Sequence, residues 1–263
     1  MSLRNLTVLS SLFFAACLHA ASLQPVSLAG EWRFALDRSA EQTDANDSRY
    51  GPTLPPGDGI TQEWFKRNLP DRIQLPGVLQ AQGFGNDISP TTPWVLGLGD
   101  AWWRIQPAAL RGHFSKPGKV EVPFLSQPPK HYLGAAWYQR DIEIPAAWHN
   151  QRVALFLERP HWETTIWIDD KAYPSNNSLV APHVFDLGIL TPGSHRLTLR
   201  IDNRRIVAEP SNNGHADDGH SVSDSLGATW NGVAGRIDLL SDRRKQILPI
   251  HGAHQPAGSY HRR

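Results

Sequence analysis

The sequence predicts an all-β protein built as an antiparallel β-sandwich. Three observations predict it. Residues 137–203 hold several short segments in which apolar and polar residues alternate, separated by turn residues. A further strand-like fragment, TWNGVAGRIDLL (229–240), follows. No segment carries a convincing helical period of apolar residues.

The elements follow in order. SLAGEWRFALD (27–37) reads as a first strand, with Trp32, Phe34 and Leu36 set against Glu31, Arg33 and Ala35. Residues 38–59 are polar and rich in Asp, Pro and Gly, a loop without periodicity. Residues 72–75 form a short strand closed by Pro76-Gly77. Residues 80–130, rich in Gly, Pro and Trp, predict long loops with short strands such as 119–125. The strand at 137–144 is stopped by Pro145, and 152–158 carries Val153, Leu155 and Leu157 on one face. Residues 163–169 point Ile166 and Ile168 one way and Trp167 the other. A short strand at 182–187 and the turn Thr191-Pro192-Gly193 come next. Residues 194–202 then alternate Leu197, Leu199 and Ile201 with Arg196, Thr198 and Arg200. This spacing marks a sandwich or a barrel. Three or four buried side chains per strand, at roughly 1.5–3 kcal/mol each, make a core that needs no disulfide.

The N-terminus reads as a secretory signal peptide over residues 1–20. Arg4 supplies the positive charge, residues 6–18 are almost wholly apolar, and Ala20 offers a small residue before the cut. Cys17, the single cysteine, lies inside it, and Phe14-Ala15-Ala16-Cys17 resembles a lipoprotein box, so anchoring through Cys17 is an alternative. Either reading implies a secreted or periplasmic setting. Without Arg4 the 26 basic side chains become 25, which balance 25 acidic ones. With no basic stripe, nucleic acid is excluded as an expected partner. No apolar run of roughly 18 residues follows the signal, so no transmembrane segment is expected. Residues 241–263 carry no alternation and a net charge of +4, and read as an irregular basic tail after a domain spanning 21–240.

Six segments, taken in order, resemble family 2 glycoside hydrolases, the β-galactosidase and β-glucuronidase group. They are SLAGEWRFALD (27–37), IQLPGVLQAQGFGN (73–86), AWYQRDIEIPAAW (136–148), RVALFLERPHWETTIWID (152–169), PHVFDLGILTPGSHRLTLRIDN (182–203) and TWNGVAGRIDLL (229–240). The resemblance implies the N-terminal sugar-binding domain of that family, a jelly-roll sandwich of the galactose-binding-domain type. One departure falls at the hairpin tip, where Asp169-Asp170-Lys171 stands in place of the family's glycine turn. The larger one is length. The family's catalytic barrel takes roughly 250 residues, and 23 follow Leu240. A retaining mechanism needs two carboxyl groups about 5–5.5 Å apart, and neither family glutamate motif is present. This chain alone is therefore expected to hydrolyse nothing. It would be one piece of a truncated or split glycosidase, with the remaining domains as partners.

The resemblance places Trp230 and Asn231, in the closing segment, near the approach to an active site. Asp224 stands just upstream as a candidate contact to a sugar hydroxyl, against the plainer role of capping a turn. Trp102 and Trp103 are candidate stacking platforms, since tryptophan covers the apolar face of a sugar ring as readily as it fills a core. Neighbours on a strand face opposite ways, so one of the two is expected inside. Glu158 and Glu163 bracket a tight connection and read as a hairpin rim rather than a catalytic pair. His215, Asp217, Asp218 and His220 fall together in NNGHADDGHS (212–221), a cluster able to offer oxygen ligands to calcium. It lacks EF-hand spacing and reads as a solvated loop, so neither metal nor cofactor is expected. The ten tryptophans also leave room for a stand-alone carbohydrate-binding module, lectin-like in action. A structural sandwich that binds a partner protein is a third possibility.

Overall fold

The computed structural model describes residues 24–41, 56–89, 92, 107–113, 115–116, 119–120, 128–204 and 229–242. The expected signal peptide, the tail beyond residue 242, and Trp102, Trp103, Asp224 and the 215–220 cluster lie outside them.

In chain order the strands are β1 (Val26–Ser27), β2 (Gly30–Leu36), β3 (Asp71–Leu75), β4 (Gly77–Val78), β5 (Ser115–Lys116), β6 (Lys119–Val120), β7 (Ala135–Ile144), β8 (Arg152–Leu157), β9 (Pro160–His161), β10 (Glu163–Ile168), β11 (Lys171–Asn176), β12 (His183–Ile189), β13 (Gly193–Asp202), β14 (Gly232–Val233) and β15 (Ile237–Asp242). One sheet has the order β1-β15-β8-β12 and the other β11-β10-β13-β7-β2-β3, with antiparallel pairing throughout. The two face each other as an antiparallel jelly-roll sandwich. Among the described residues no barrel closes, because β1, β12, β11 and β3 are left as sheet edges. A small sheet, β4-β14-β9, closes one end.

The alternation in the sequence decides which side chains meet between the sheets. Trp32 and Phe34 of β2, Tyr138 and Ile142 of β7, and Leu197, Leu199 and Ile201 of β13 face Val153, Leu155 and Leu157 of β8 and Ile237 and Leu239 of β15. The predicted strands are present with bounds moved by a few residues, except that of the one expected over 119–125 only 119–120 lie within the described residues. The last strand runs to Asp242, paired with Arg152, two residues past the expected domain end. In the 80–130 region a six-residue helix, Ala108–His113, stands where loop was expected.

The outer face of the six-stranded sheet is covered as well, and this the alternation alone did not show. Residues 57–69 fold back over it and bring Ile60, Trp64, Phe65 and Leu69 onto Ala35, Trp137 and Trp167. Phe65 stacks on Trp167 at 5.2 Å between centroids, and Trp167 on Trp137 at 5.1 Å. Buried Asp37 pins this cover: it accepts hydrogen bonds from the N–H of Gly59 (2.8 Å), the N–H of Asp58 (3.1 Å) and the Trp137 indole (3.2 Å). Gly59 is required there, since a Cβ would come within 2.2 Å of the Trp137 indole nitrogen.

The hairpin between β10 and β11 turns on Asp169-Asp170 without glycine. Asp169 takes φ +52, a left-handed conformation that Asp tolerates. Its carboxylate accepts from the Arg196 N–H (2.8 Å) and pairs with His195 Nδ1 (2.7 Å). Burial pushes the Asp169 carboxyl up, but those two bonds outweigh it and hold it below its usual value.

His183, at the start of β12, is fully buried. Its Nε2–H donates to the Ser178 carbonyl at 2.9 Å, and Nδ1 has no partner among the described residues. Burial lowers its pKa to about 4, from about 6.5 in an unfolded chain. The unfolded state therefore binds a proton first on acidification. Stability present above pH ~6.5 is lost as pH falls to about 4, by roughly 3 kcal/mol at ~1.4 per unit. Urea midpoints measured from pH 7 to 4 should fall less steeply in His183→Gln than in the parent; parallel profiles would rule this out.

Candidate functional site

The closing segment is built into the sandwich by close backbone approach. β14 lies between β4 and β9, and Gly232, at φ +137, leaves no room for a side chain: a Cβ would sit 2.3 Å from the Gly77 carbonyl oxygen. This contact delivers Trp230 and Asn231 to the same end of the molecule as the terminus of β13.

Asn231 has no exposed surface. Its Oδ1 accepts the Tyr138 hydroxyl at 2.8 Å, while its Nδ2 donates to the carbonyls of Ile201 (2.9 Å) and Gly134 (3.2 Å). Its backbone N–H donates to Gln80 Oε1 at 3.1 Å, and its carbonyl accepts the Leu79 N–H at 3.0 Å. Asn203 completes the knot, accepting the Gly134 N–H (2.8 Å) and donating to the carbonyls of Tyr132 (2.9 Å) and Trp230 (3.1 Å). Three buried amides thus tie four chain segments together.

Trp230 lies half-buried at the rim. Its ring stacks on His161 at 4.6 Å with 27° between planes. Its carbonyl accepts the His161 Nδ1–H at 2.7 Å, which fixes the imidazole and sets the tautomer. The adjacent Trp162 is also half-buried, and its indole N–H has no hydrogen-bond partner among the described residues.

Beneath this rim lies an ion cluster. Asp202 is 1% exposed, and its carboxylate accepts from Arg204 Nε (2.9 Å) and Nη2 (2.6 Å) and from Arg200 Nη2 (2.8 Å). Arg204 and Arg200 are buried with it. Glu163 stands opposite Asp202 in the ladder. Burial, and then the Asp202 charge, push its carboxyl above the usual range. Glu158 is placed otherwise: the Arg236 N–H donates to its carboxylate at 3.0 Å and holds it below the usual range. The two glutamates bracketing β9 therefore differ in environment, one clamping the β14–β15 connection and the other seated at a buried ion pair.

The structure brings Trp230 and Asn231 together, with opposite characters: Trp230 offers part of a ring to solvent, while Asn231 is spent inside. Gln80, Asn203, His161 and Asp202 belong to the same end of the fold and were not singled out in the sequence. The signal available for Asn203 was the polar pair Asp202-Asn203 ending a strand whose alternation had been apolar to Ile201. Among the described residues no group of three or more His, Cys, Asp or Glu side chains could hold a metal, and no helix is long and apolar enough to cross a membrane.

No family model matches the chain. Among solved structures, it is similar to a β-glucuronidase from an uncultured Clostridium species, with 18% identity and a TM-score of 0.47 over 84% of this chain and 29% of that one. It is also similar to a β-glucuronidase from Ruminococcus gnavus in complex with D-glucuronic acid, with 14% identity and a TM-score of 0.47 over 84% of this chain and 30% of that one. The chain thus spans less than a third of the length of either.

Proposed function

We propose that this chain is a sugar-binding β-sandwich of the kind family 2 glycoside hydrolases carry at their N-terminus. It handles carbohydrate of galactoside or glucuronide type beside a catalytic barrel. One observation supports this reading above others. The six family-like segments fall, in order, on β2, β3–β4, β7, β8–β10, β12–β13 and β14–β15, and the last is tied by Asn231 into the end of the sandwich that carries Trp230. Trp230 then serves as the sugar platform, its face set by the His161 stack, and Asp224 and the Trp102-Trp103 pair are further contacts to be tested. The apolar segment 6–18 before Ala20 supports a secreted or periplasmic location. A stand-alone carbohydrate-binding module is the second reading, favoured by the three half-buried tryptophans Trp64, Trp162 and Trp230.

Titration with a panel of galactosides and glucuronides, followed by tryptophan fluorescence, tests the reading. Binding in the millimolar range or tighter is expected, weakened at least fivefold in Trp230→Ala. Silence across the panel at millimolar sugar would sink it.

A further inference from the structure

A concave site opens far along the sequence from the closing segment. It is a cleft of about 430 Å³ where the end of β2 and the start of β3 diverge, lined among others by Trp64, Arg67, Asp71, Phe84 and Arg38. That volume lies within the range of small-ligand sites, roughly 300–1,000 Å³.

The charges in the cleft are not all matched. Arg38 is held by Glu41 at 2.7 Å and Asn86 at 2.8 Å. Among the described residues Arg67 meets no carboxylate: its guanidinium lies over the Trp64 ring at 5.1 Å and makes one long contact, 3.4 Å, to Gln62 Oε1. Asp71, exposed in the same lining, has no ion-pair partner among the described residues either. A guanidinium resting on an indole presents its fork of N–H groups outward, a shape that matches the paired oxygens of a carboxylate or sulfate.

The walls are fixed from beneath. The Trp64 ring packs on buried Trp137 at 6.0 Å, and the Arg67 carbonyl accepts a hydrogen bond from buried Gln139 Nε2 at 3.0 Å. Phe84 leans on core Phe34 at 4.7 Å. Gly83 leaves open space where a side chain would otherwise stand, since nothing lies within 4 Å of its notional Cβ. Half-buried aromatic rings, with a guanidinium and a carboxylate that are unmatched among the described residues, therefore converge on a preformed hollow.

We propose that this cleft binds an anionic saccharide, a sugar ring bearing a carboxylate or a sulfate ester. The apolar face of the ring lies on Trp64 or Phe84, the acid group is received by the Arg67 fork, and Asp71 accepts from ring hydroxyls. The proposal rests on the sugar-handling reading for the ring, and on Arg67 for the charge.

The test uses the full chain and three probes: methyl β-D-glucuronide, N-acetylglucosamine 6-sulfate and neutral methyl β-D-glucoside, titrated by calorimetry at low salt. At least one anionic probe should bind tenfold or more tighter than the glucoside. Arg67→Ala, at an exposed position whose backbone carbonyl is kept, should weaken that probe at least tenfold. Asp71→Asn should weaken both anionic and neutral probes, and the tenfold preference for the anionic probe over the glucoside should survive in Trp230→Ala. Preference for glucuronide over sulfate, or the reverse, identifies the acid group. Equal binding of all three probes, or unchanged anion affinity in Arg67→Ala, overturns the proposal. If Trp230→Ala abolishes all sugar binding and Arg67→Ala none, the closing segment is the site and the cleft is not, with the broader reading intact. If no probe binds at millimolar concentration, both fall together.

Discussion

Asp202→Ala should cost about 3–5 kcal/mol of folding stability, because it removes the carboxylate that two buried guanidinium groups share. Asp202 is the hub: Arg204 reaches it with Nε and Nη2, Arg200 with Nη2. Arg200 also donates to the Pro56 carbonyl at 3.2 Å, but that bond brings no charge. Taking a guanidinium out of water is expensive, and the loss of the carboxylate removes the compensation that Asp202 supplies to both. The urea midpoint should drop sharply with little change in slope. Asp202→Asn keeps the shape and one of the two acceptor oxygens but not the charge, and should recover only part of the loss. A midpoint within experimental error of the parent for Asp202→Ala would show that the guanidiniums reach water. Replacing Asp202, Arg200 and Arg204 together by apolar residues should be much milder than the single change, since a buried ion cluster often contributes little net stability once every partner is gone.

Asn231→Ala should be comparably severe, about 3–5 kcal/mol, and it separates a structural role from a ligand-binding one. The change removes the acceptor of the Tyr138 phenol, which has no exposure, and the donor to the Ile201 and Gly134 carbonyls. Each buried polar group left unpaired costs about 1–3 kcal/mol, and a cavity adds to that. The Gly134 carbonyl keeps the Asn203 N–H at 3.3 Å, so the penalty falls mainly on Tyr138 and Ile201. Burial already pushes the Tyr138 hydroxyl pKa up, so ionisation offers that group no escape at ordinary pH. If Asn231 served chiefly as a sugar contact, Asn231→Ala would weaken sugar titrations while the urea midpoint held. The reverse pattern is expected, with sugar affinity following the folded fraction.

The fate of the tryptophans shows how far the sequence could be read. Alternation correctly set Ile166 and Ile168 against Trp167. It could not say that both faces of that strand are buried, because the cover comes from residues 57–69, which carry no period that announces it. Trp32, Trp137, Trp148 and Trp167 are consumed by packing, while Trp64, Trp162 and Trp230 keep part of a ring at the surface. A residue type suited to both cores and sugars does not reveal its use until its neighbours are known.

The sequence by itself determined the all-β class, the strand order along the chain and the side of each strand that faces the main core. It could do so because a strand's period of two is a local property, written in residues one and two apart. Only the tertiary structure decided that Asn231 is interior and Trp230 at the rim, that Asp202 gathers two arginines, and that Trp64 and Arg67 share a cleft. The surroundings of those residues are completed from dozens of positions away, by Tyr138 for Asn231, Glu163 for Asp202 and Trp137 for Trp64, and they depend on Gly232 and Gly59 allowing backbone to lie against backbone and ring. No local pattern records such a contact; it exists only once the two sheets have closed on their common core.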